Sequence, residues 1–262
     1  MRPGYPEAMQ DETIVSEFTH QAETFNASAV ARAAASLEEL VRLASPAPDE
    51  RWLEVACGPG IVSRELAPLV REVHGIDMTP AMVDLARREA AAAGIGNATF
   101  EVGDATALPL PDASVDGAVA RFTIHHVPVP GRLFEELARV LRPGGHAIIA
   151  DHVADTDGDA AAWCQEIERL RDPSHWACLT VPRLWALAGD AGLAFELERL
   201  VPLELDFDDW LARGSGGPAA RSMIERALAE HPDGTECFRV TNRDGRRILR
   251  LRIWLARWRR PA

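Results

Sequence analysis

The sequence is poor in everything that would tie it to an oxidising compartment, a membrane or a nucleic acid. Its four cysteines, Cys57, Cys164, Cys178 and Cys237, are scattered and form no C-x-x-C pair, which argues against a disulfide framework and against a zinc site. No signal peptide and no stretch of about 18 apolar residues is visible. Positive charge is short as well: 28 lysines and arginines against 40 acids leave a net charge of -12, and such a surface repels phosphate backbones. Arginines do crowd the segment from Arg243 to Arg260, read here as the solvated face of a terminal strand. No internal repeat is present. These absences lead us to expect a soluble, reduced, cytoplasmic protein, monomeric or homodimeric, with neither nucleic acid nor membrane as partner.

What is present suits one α/β domain with additions: 262 residues, 47% of them hydrophobic, can build a large core. The chain is organised around Glu50 to Asp77. A short apolar run, Arg51 to Ala56, leads into the glycine turn Gly58-Pro59-Gly60, a helical segment Ile61 to Val70, and a second apolar run that ends on Asp77. That is a βαβ opening with its turn at the carboxyl end of the first strand. Glycine removes the Cβ that would hold a ligand off the backbone, and the following helix offers unpaired N–H groups. An acid at the end of the second strand can accept both hydroxyls of a ribose. An adenosine-type cofactor follows, with hydride chemistry as the alternative, although Ser63 stands where a dinucleotide fingerprint needs its third glycine.

Alternation then continues. Thr79-Pro80 opens a helix that stops at Gly94; Asn97 to Val102, Gly117 to Phe122 and His146 to Ala150 read as strands, with a helix over Leu133 to Leu141. Five strand and helix alternations predict a Rossmann-like, doubly wound α/β sheet. Before it, Glu12 to Phe25 sets Ile14, Phe18, Gln21 and Phe25 on one helical stripe, and Ala29 to Leu43 is a second helix. After it, helices are expected at Val181 to Ala191, Asp208 to Arg213 and Ala219 to His231, and strands at Phe195 to Leu205 and around Leu249 to Leu255. Gly214 to Pro218 reads as a flexible linker, and Asn242-Arg243-Asp244-Gly245 as a turn. We expect an N-terminal helical lid over 1–45 and a core over 46–262, with substrate-covering insertions at about 155–182 and 206–240.

The motifs LEVACGPG at 53–60, HGIDMTPAMVDLAR at 74–87, FEVGDATALPLPDASVDGAVARFTIHHV at 100–127 and ELARVLRPGGHAIIAD at 136–151 resemble, in this order, the class I S-adenosylmethionine-dependent methyltransferases. Within them the chain is similar to the small-molecule branch of the ubiquinone and menaquinone C-methyltransferases. The resemblance implies a seven-stranded sheet, mostly parallel with an antiparallel terminal strand, and S-adenosyl-L-methionine as cofactor. It implies that Glu54, Ala56, Gly58 and Gly60 meet the methionine part, where the family more often has Asp and Gly in place of Glu54 and Ala56. Asp77 would hold the ribose, Met78 and Met82 would lie on the adenine, and Gly103, Asp104 and Ala105 would address its edge. Arg121 would stand near the methionine end, with Phe18 and Gln21 reaching the cofactor from the lid. The adenine-directed turn at Gly103 weakens the hydride alternative. Phe18-Thr19-His20-Gln21-Ala22 and Arg171-Asp172-Pro173-Ser174-His175-Trp176 look like segments of a bacterial subset of these enzymes.

Methyl transfer needs aligned donor and acceptor, exclusion of water and, for a hydroxyl acceptor, a base beyond the ends of strands four and five. His125 and His126 follow strand four; Asp151 and His152 follow strand five. Histidine suits the task at neutral pH. His126 is favoured over His125, His175 is a second candidate and His20 a weaker one; the alternative is that both adjacent histidines only shape the pocket. Trp163, Trp176, Trp185 and Trp210 could stack on a flat acceptor, or pack in the core. No metal-assisted mechanism is expected. The reading is a methyltransferase acting at oxygen or carbon of an aromatic or polyketide-like small molecule. The alternative is a cofactor-binding scaffold that catalyses a cyclisation or rearrangement without methylating.

Overall fold

The computed structural model describes residues 7–27 and 34–262. Its centre is β1 (Arg51–Val55), whose last four residues are buried, as expected of a strand covered on both faces of a parallel sheet. β2 (Glu72–Asp77), β3 (Ala98–Val102), β4 (Val115–Arg121) and β5 (Leu141–His152) join it, all four pairings among these five strands being parallel. β8 (Arg246–Arg259) then runs antiparallel to both β5 and β6 (Ala194–Asp206). The order is β3-β2-β1-β4-β5-β8-β6, with β7 (Phe238–Arg243) as an eighth strand on β8. The doubly wound sheet is therefore as anticipated, with one strand more than seven.

Helices cover both faces. α3 (Ile61–Leu66) is shorter than the expected Ile61 to Val70 because a 3₁₀ turn over Ala67–Leu69 follows it, with Pro68 inside. α4 (Pro80–Ala92) starts with proline at its first position, where a missing N–H costs nothing. α5 (Pro130–Val140) turns Leu133, Phe134, Leu137 and Val140 into the core. α7 (Val181–Asp190) packs in one core with α5, while α6 (Gly158–Arg171), α8 (Phe207–Arg213) and α9 (Gly217–Glu230) share the other core with α3. Sequence reading missed α6 and β7. Glu168 and Arg171 of α6 are buried beside Cys164 and Ile167, so no clean apolar stripe marks the helix. β7 buries little besides Phe238.

α1 (Glu7–Ala27) and α2 (Ala34–Ala44) precede the sheet; the side chain of Phe25 and the expected start of the second helix at Ala29 lie outside the described residues. The expected flexible linker is instead a tight turn. A Cβ on Gly214 would stand 2.2 Å from the Arg171 carbonyl oxygen, and one on Gly216 1.9 Å from that of Leu170. Among the described residues no helix is long and apolar enough to cross a membrane.

Candidate active site

A cleft opens at the carboxyl ends of β1, β2 and β4, floored by the glycine turn and walled by α1. At the turn, Gly58 has φ +50° and nothing within 4 Å of where a Cβ would stand, so this side is open for a ligand to approach the backbone. Ala56, also cleft-lining, holds the left-handed φ of 49° that glycine would adopt freely. Gly60 serves packing instead: it opens α3 at φ +70° and a Cβ there would press on the Phe100 ring at 2.8 Å. It does not line the cleft.

Two buried carboxylates do. Asp77 accepts the Gly58 N–H on Oδ2 and the Thr79 N–H on Oδ1, each at 2.8 Å, tying the first turn to the second. Burial raises its pKa, although those two bonds pull the other way. Glu54 accepts the Ser63 N–H at 2.7 Å and its hydroxyl at 2.5 Å. Burial pushes Glu54 up to about 7, against the Ser63 bonds and the charges of Arg121 and Arg64. Arg121 is pushed down to about 10 by the same burial, opposed by Glu54. Glu54 and Arg121 thus set groups of opposite sign at this end of the cleft.

Met78, Met82, Gly103, Asp104 and Ala105 line the adjoining part. The Asp104 carboxylate is exposed and accepts from the N–H and hydroxyl of Thr106. From α1 come Asp11, Ile14 and Phe18. Gln21 does not reach the cleft: its amide donates to Glu17 Oε1 at 2.5 Å. His20 stands exposed on α1, outside the lining.

The histidine pair divides. After β4, Phe122 is forced to φ 54° while its N–H bonds the Ala150 carbonyl at 2.8 Å; an aromatic residue in that region is strained, as happens beside functional sites. The bend leads into a 3₁₀ turn over Ile124–His126 and puts Phe122, Thr123 and His126 on the cleft. His126 Nδ1 lies 3.1 Å from both the carbonyl and the hydroxyl of Ser174. That carbonyl can only accept, and the hydroxyl already donates to Asp172 at 2.5 Å, so Nδ1 carries the proton and Nε2 keeps a lone pair. Gln10 donates to the His126 carbonyl at 3.2 Å and the Ser174 carbonyl at 2.6 Å, clamping the two segments.

His125 and His175 do not face the cleft. His125 Nδ1 meets Asp151 Oδ1 at 2.7 Å and His175 Nε2 meets Gln165 Oε1 at 2.6 Å, both rings being buried with His152 behind the wall. Burial first, then neighbouring histidines, hold His125 and His175 well below the ordinary value, and bring His152 down to about 3. None of Trp163, Trp176, Trp185 and Trp210 lines the cleft; Trp210 stacks on Phe207 and Trp185 meets Trp258 edge-on. Sequence reasoning missed Asp11, Phe122 and Arg132 of the lining, and the supporting roles of Gln10, Asp172 and Ser174. For the last two, the quoted Asp172-Pro173-Ser174-His175 segment was the available signal.

Residues 53–149 match the family described as a methyltransferase domain. The chain is 30% identical over 239 residues to the uncharacterized methyltransferase YcgJ of Bacillus subtilis strain 168, covering 90% of this chain and 94% of that one. The crystal structure of YcgJ superposes with a TM-score of 0.80 at 28% identity, over 87% of this chain and 98% of YcgJ. A solved structure from Bacillus halodurans follows at TM-score 0.78 and 24% identity, covering 87% and 100%. Over 117 residues, 44% of this chain and 42% of the other, it is 38% identical to the O-methyltransferase cnsE of Penicillium expansum.

Proposed function

Because the chain belongs to the class I S-adenosylmethionine-dependent methyltransferases and uses S-adenosylmethionine as cofactor, we propose that it methylates oxygen or carbon of an aromatic or polyketide-like small molecule, with His126 as the base for a hydroxyl acceptor. The cleft residues fit the cofactor. Asp77 uses two of its roughly four lone-pair positions on backbone N–H groups, which leaves two for a ribose diol. Glu54 and Arg121 match the opposite charges of an amino-acid end, and the open face of Gly58 admits that end to the backbone. Met78 and Met82 offer apolar surface to a purine, and Asp104 an acceptor for its amino group. When bound, the cofactor supplies a sulfonium-activated methyl group for in-line displacement.

The chain's own part is to orient the acceptor, exclude water and take a proton. α1 closes one side of the cleft with Ile14 and Phe18, and Phe122, Val127 and Val129 offer an apolar bed for a flat acceptor. The observation that carries the base assignment is the Ser174 contact on His126 Nδ1, which fixes the tautomer and frees Nε2 to accept the hydroxyl proton. The likeness to a fungal O-methyltransferase supports an oxygen acceptor.

The test is turnover with a panel of phenols, read as S-adenosylhomocysteine released. His126→Ala should lower kcat by about 100-fold or more and leave the dissociation constant for S-adenosylhomocysteine nearly unchanged. Undiminished turnover removes His126 from the chemistry.

A further inference from the structure

Behind the wall that His126 presents to the cleft, three imidazoles meet from separate parts of the chain. His125 comes from the turn after β4, His152 from the end of β5 and His175 from the segment after α6. One ring nitrogen from each lies within 4.8 Å of the other two. The ring centroids are 4.1 Å apart for His125 and His152, 5.6 Å for His125 and His175, and 6.1 Å for His152 and His175.

Hydrogen bonding decides which nitrogens are free. A carboxylate only accepts, so His125 Nδ1, 2.7 Å from Asp151 Oδ1, is the protonated nitrogen and Nε2 keeps its lone pair. The Gln165 oxygen beside His175 Nε2 also accepts the Cys178 N–H at 3.1 Å, while the Gln165 amide donates to the Cys178 carbonyl at 2.8 Å. That arrangement fixes the oxygen's identity and makes His175 Nε2 a donor, leaving Nδ1 free. His152 Nε2 is buried and has no hydrogen-bond partner among the described residues, while its Nδ1 lies 3.8 Å from Glu168 Oε1. His125 and His175 each have an oxygen acceptor on one nitrogen and a lone pair on the other, whereas His152 meets carboxylate oxygens only at long range, Glu168 Oε1 3.8 Å from Nδ1 and Asp151 Oδ1 3.9 Å from Nε2, so no hydrogen bond occupies its Nε2. The bonds on His125 and His175 are of the kind that hold metal-bound histidines, whose second ring N–H is given to a carboxylate or carbonyl that fixes the tautomer. If the three rings were only packing, the orphaned His152 nitrogen would remain an uncompensated cost of burial.

The geometry points to a site for a first-row divalent transition ion, with zinc as its occupant, bound through His125 Nε2, His152 Nε2 and His175 Nδ1. Imidazole nitrogens suit zinc, and hard ions such as magnesium prefer oxygen. Tetrahedral zinc with Zn–N of about 2.0–2.1 Å sets its nitrogens about 3.3 Å apart, so the rings close in from their present spacing. No fourth side chain joins the cluster among the described residues, and a water completes the coordination. The ion links the turn over Ile124–His126 to the end of β5 and to the segment bearing Ser174. It thereby positions His126 without touching the cleft.

The experiment uses the full chain without a histidine tag, stripped by a chelator and titrated with Co²⁺ as a spectroscopic stand-in for zinc. The expected result is about one equivalent bound, with the visible absorption of a tetrahedral ion that Zn²⁺ abolishes, and a higher melting temperature when loaded. His152→Ala and His175→Ala should each weaken cobalt binding by about 100-fold or more, whereas His20→Ala leaves it unchanged. Folded, S-adenosylhomocysteine-binding wild-type protein that takes up less than about 0.1 equivalent overturns the site. So does cobalt absorption that persists in both histidine variants, provided circular dichroism shows them folded.

Discussion

Glu54 and Asp77 are acids kept from water at the two turns that build the cleft, and their consequences belong to single residues. Burial raises Glu54 to about 7, above its unfolded value, so in the ligand-free protein this residue stabilises the fold at low pH and that contribution is lost as pH rises through about 7. A cationic ligand group prefers the ionised form. Affinity for S-adenosylmethionine should therefore rise as pH increases across that range. Glu54→Gln, which can still accept from Ser63, should flatten the dependence when followed by calorimetry; an equally steep profile would remove Glu54 from cofactor binding. Ala56 is strained at φ 49°, where L-residues cost about 1–2 kcal/mol. Ala56→Gly should raise stability in chemical denaturation by up to about 1 kcal/mol, the gain being cut by the unfolded-state entropy of glycine. At this scale the sequence was readable where one stretch holds both position and partner, as with Gly58 and Asp77, whose side chain accepts the Gly58 N–H. It was not readable for His125 and His175, whose surroundings come from β5 and α6, nor for Gln21, whose helical stripe did not reveal the Glu17 contact.

α1 is more than a cover. Glu17 accepts from the N–H and hydroxyl of Ser215, and Gln10 reaches the carbonyls of His126 and Ser174, so the helix is pinned at two levels. Gln10→Ala leaves the His126 carbonyl unpaired and the Ser174 carbonyl with His126 Nδ1–H as its remaining donor, a loss of about 1–3 kcal/mol. We expect a lower melting temperature and faster hydrogen exchange along α1, with weakened cofactor affinity if this helix is the lid. Gly216→Ala should destabilise far more than a linker substitution would, because the Leu170 carbonyl occupies the space of the new Cβ. α5, with one apolar face, was legible from periodicity, and β1, buried on both faces, from its short apolar run before the glycine turn. α6 was hidden because its buried side includes Glu168 and Arg171. β7 was hidden although its turn was found: Asp244 and Gly245, both at positive φ, form the two-residue loop of a hairpin whose first strand is mostly polar.

Over the whole molecule, the arginines that crowd the C-terminal strand are largely engaged within the fold. Arg243 pairs with Glu204, Arg247 with Asp208 and Glu225, Arg252 with Glu236, and Arg257 and Arg259 with Glu196. The solvated basic face expected from the sequence is thus a set of ion pairs around β8. The cleft lies at the other half of the sheet, where parallel strands end together, and the proposed function requires it to hold S-adenosylmethionine there. The most direct measurement is isothermal calorimetry with S-adenosylhomocysteine on wild-type protein and on Asp77→Ala, with folding of both checked by circular dichroism. The account predicts one binding site in the wild type and affinity weakened by about tenfold or more in the variant, the equivalent of about 1.4 kcal/mol or more. Absence of binding heat at several temperatures in folded wild-type protein, or equal affinity in the variant, would contradict it.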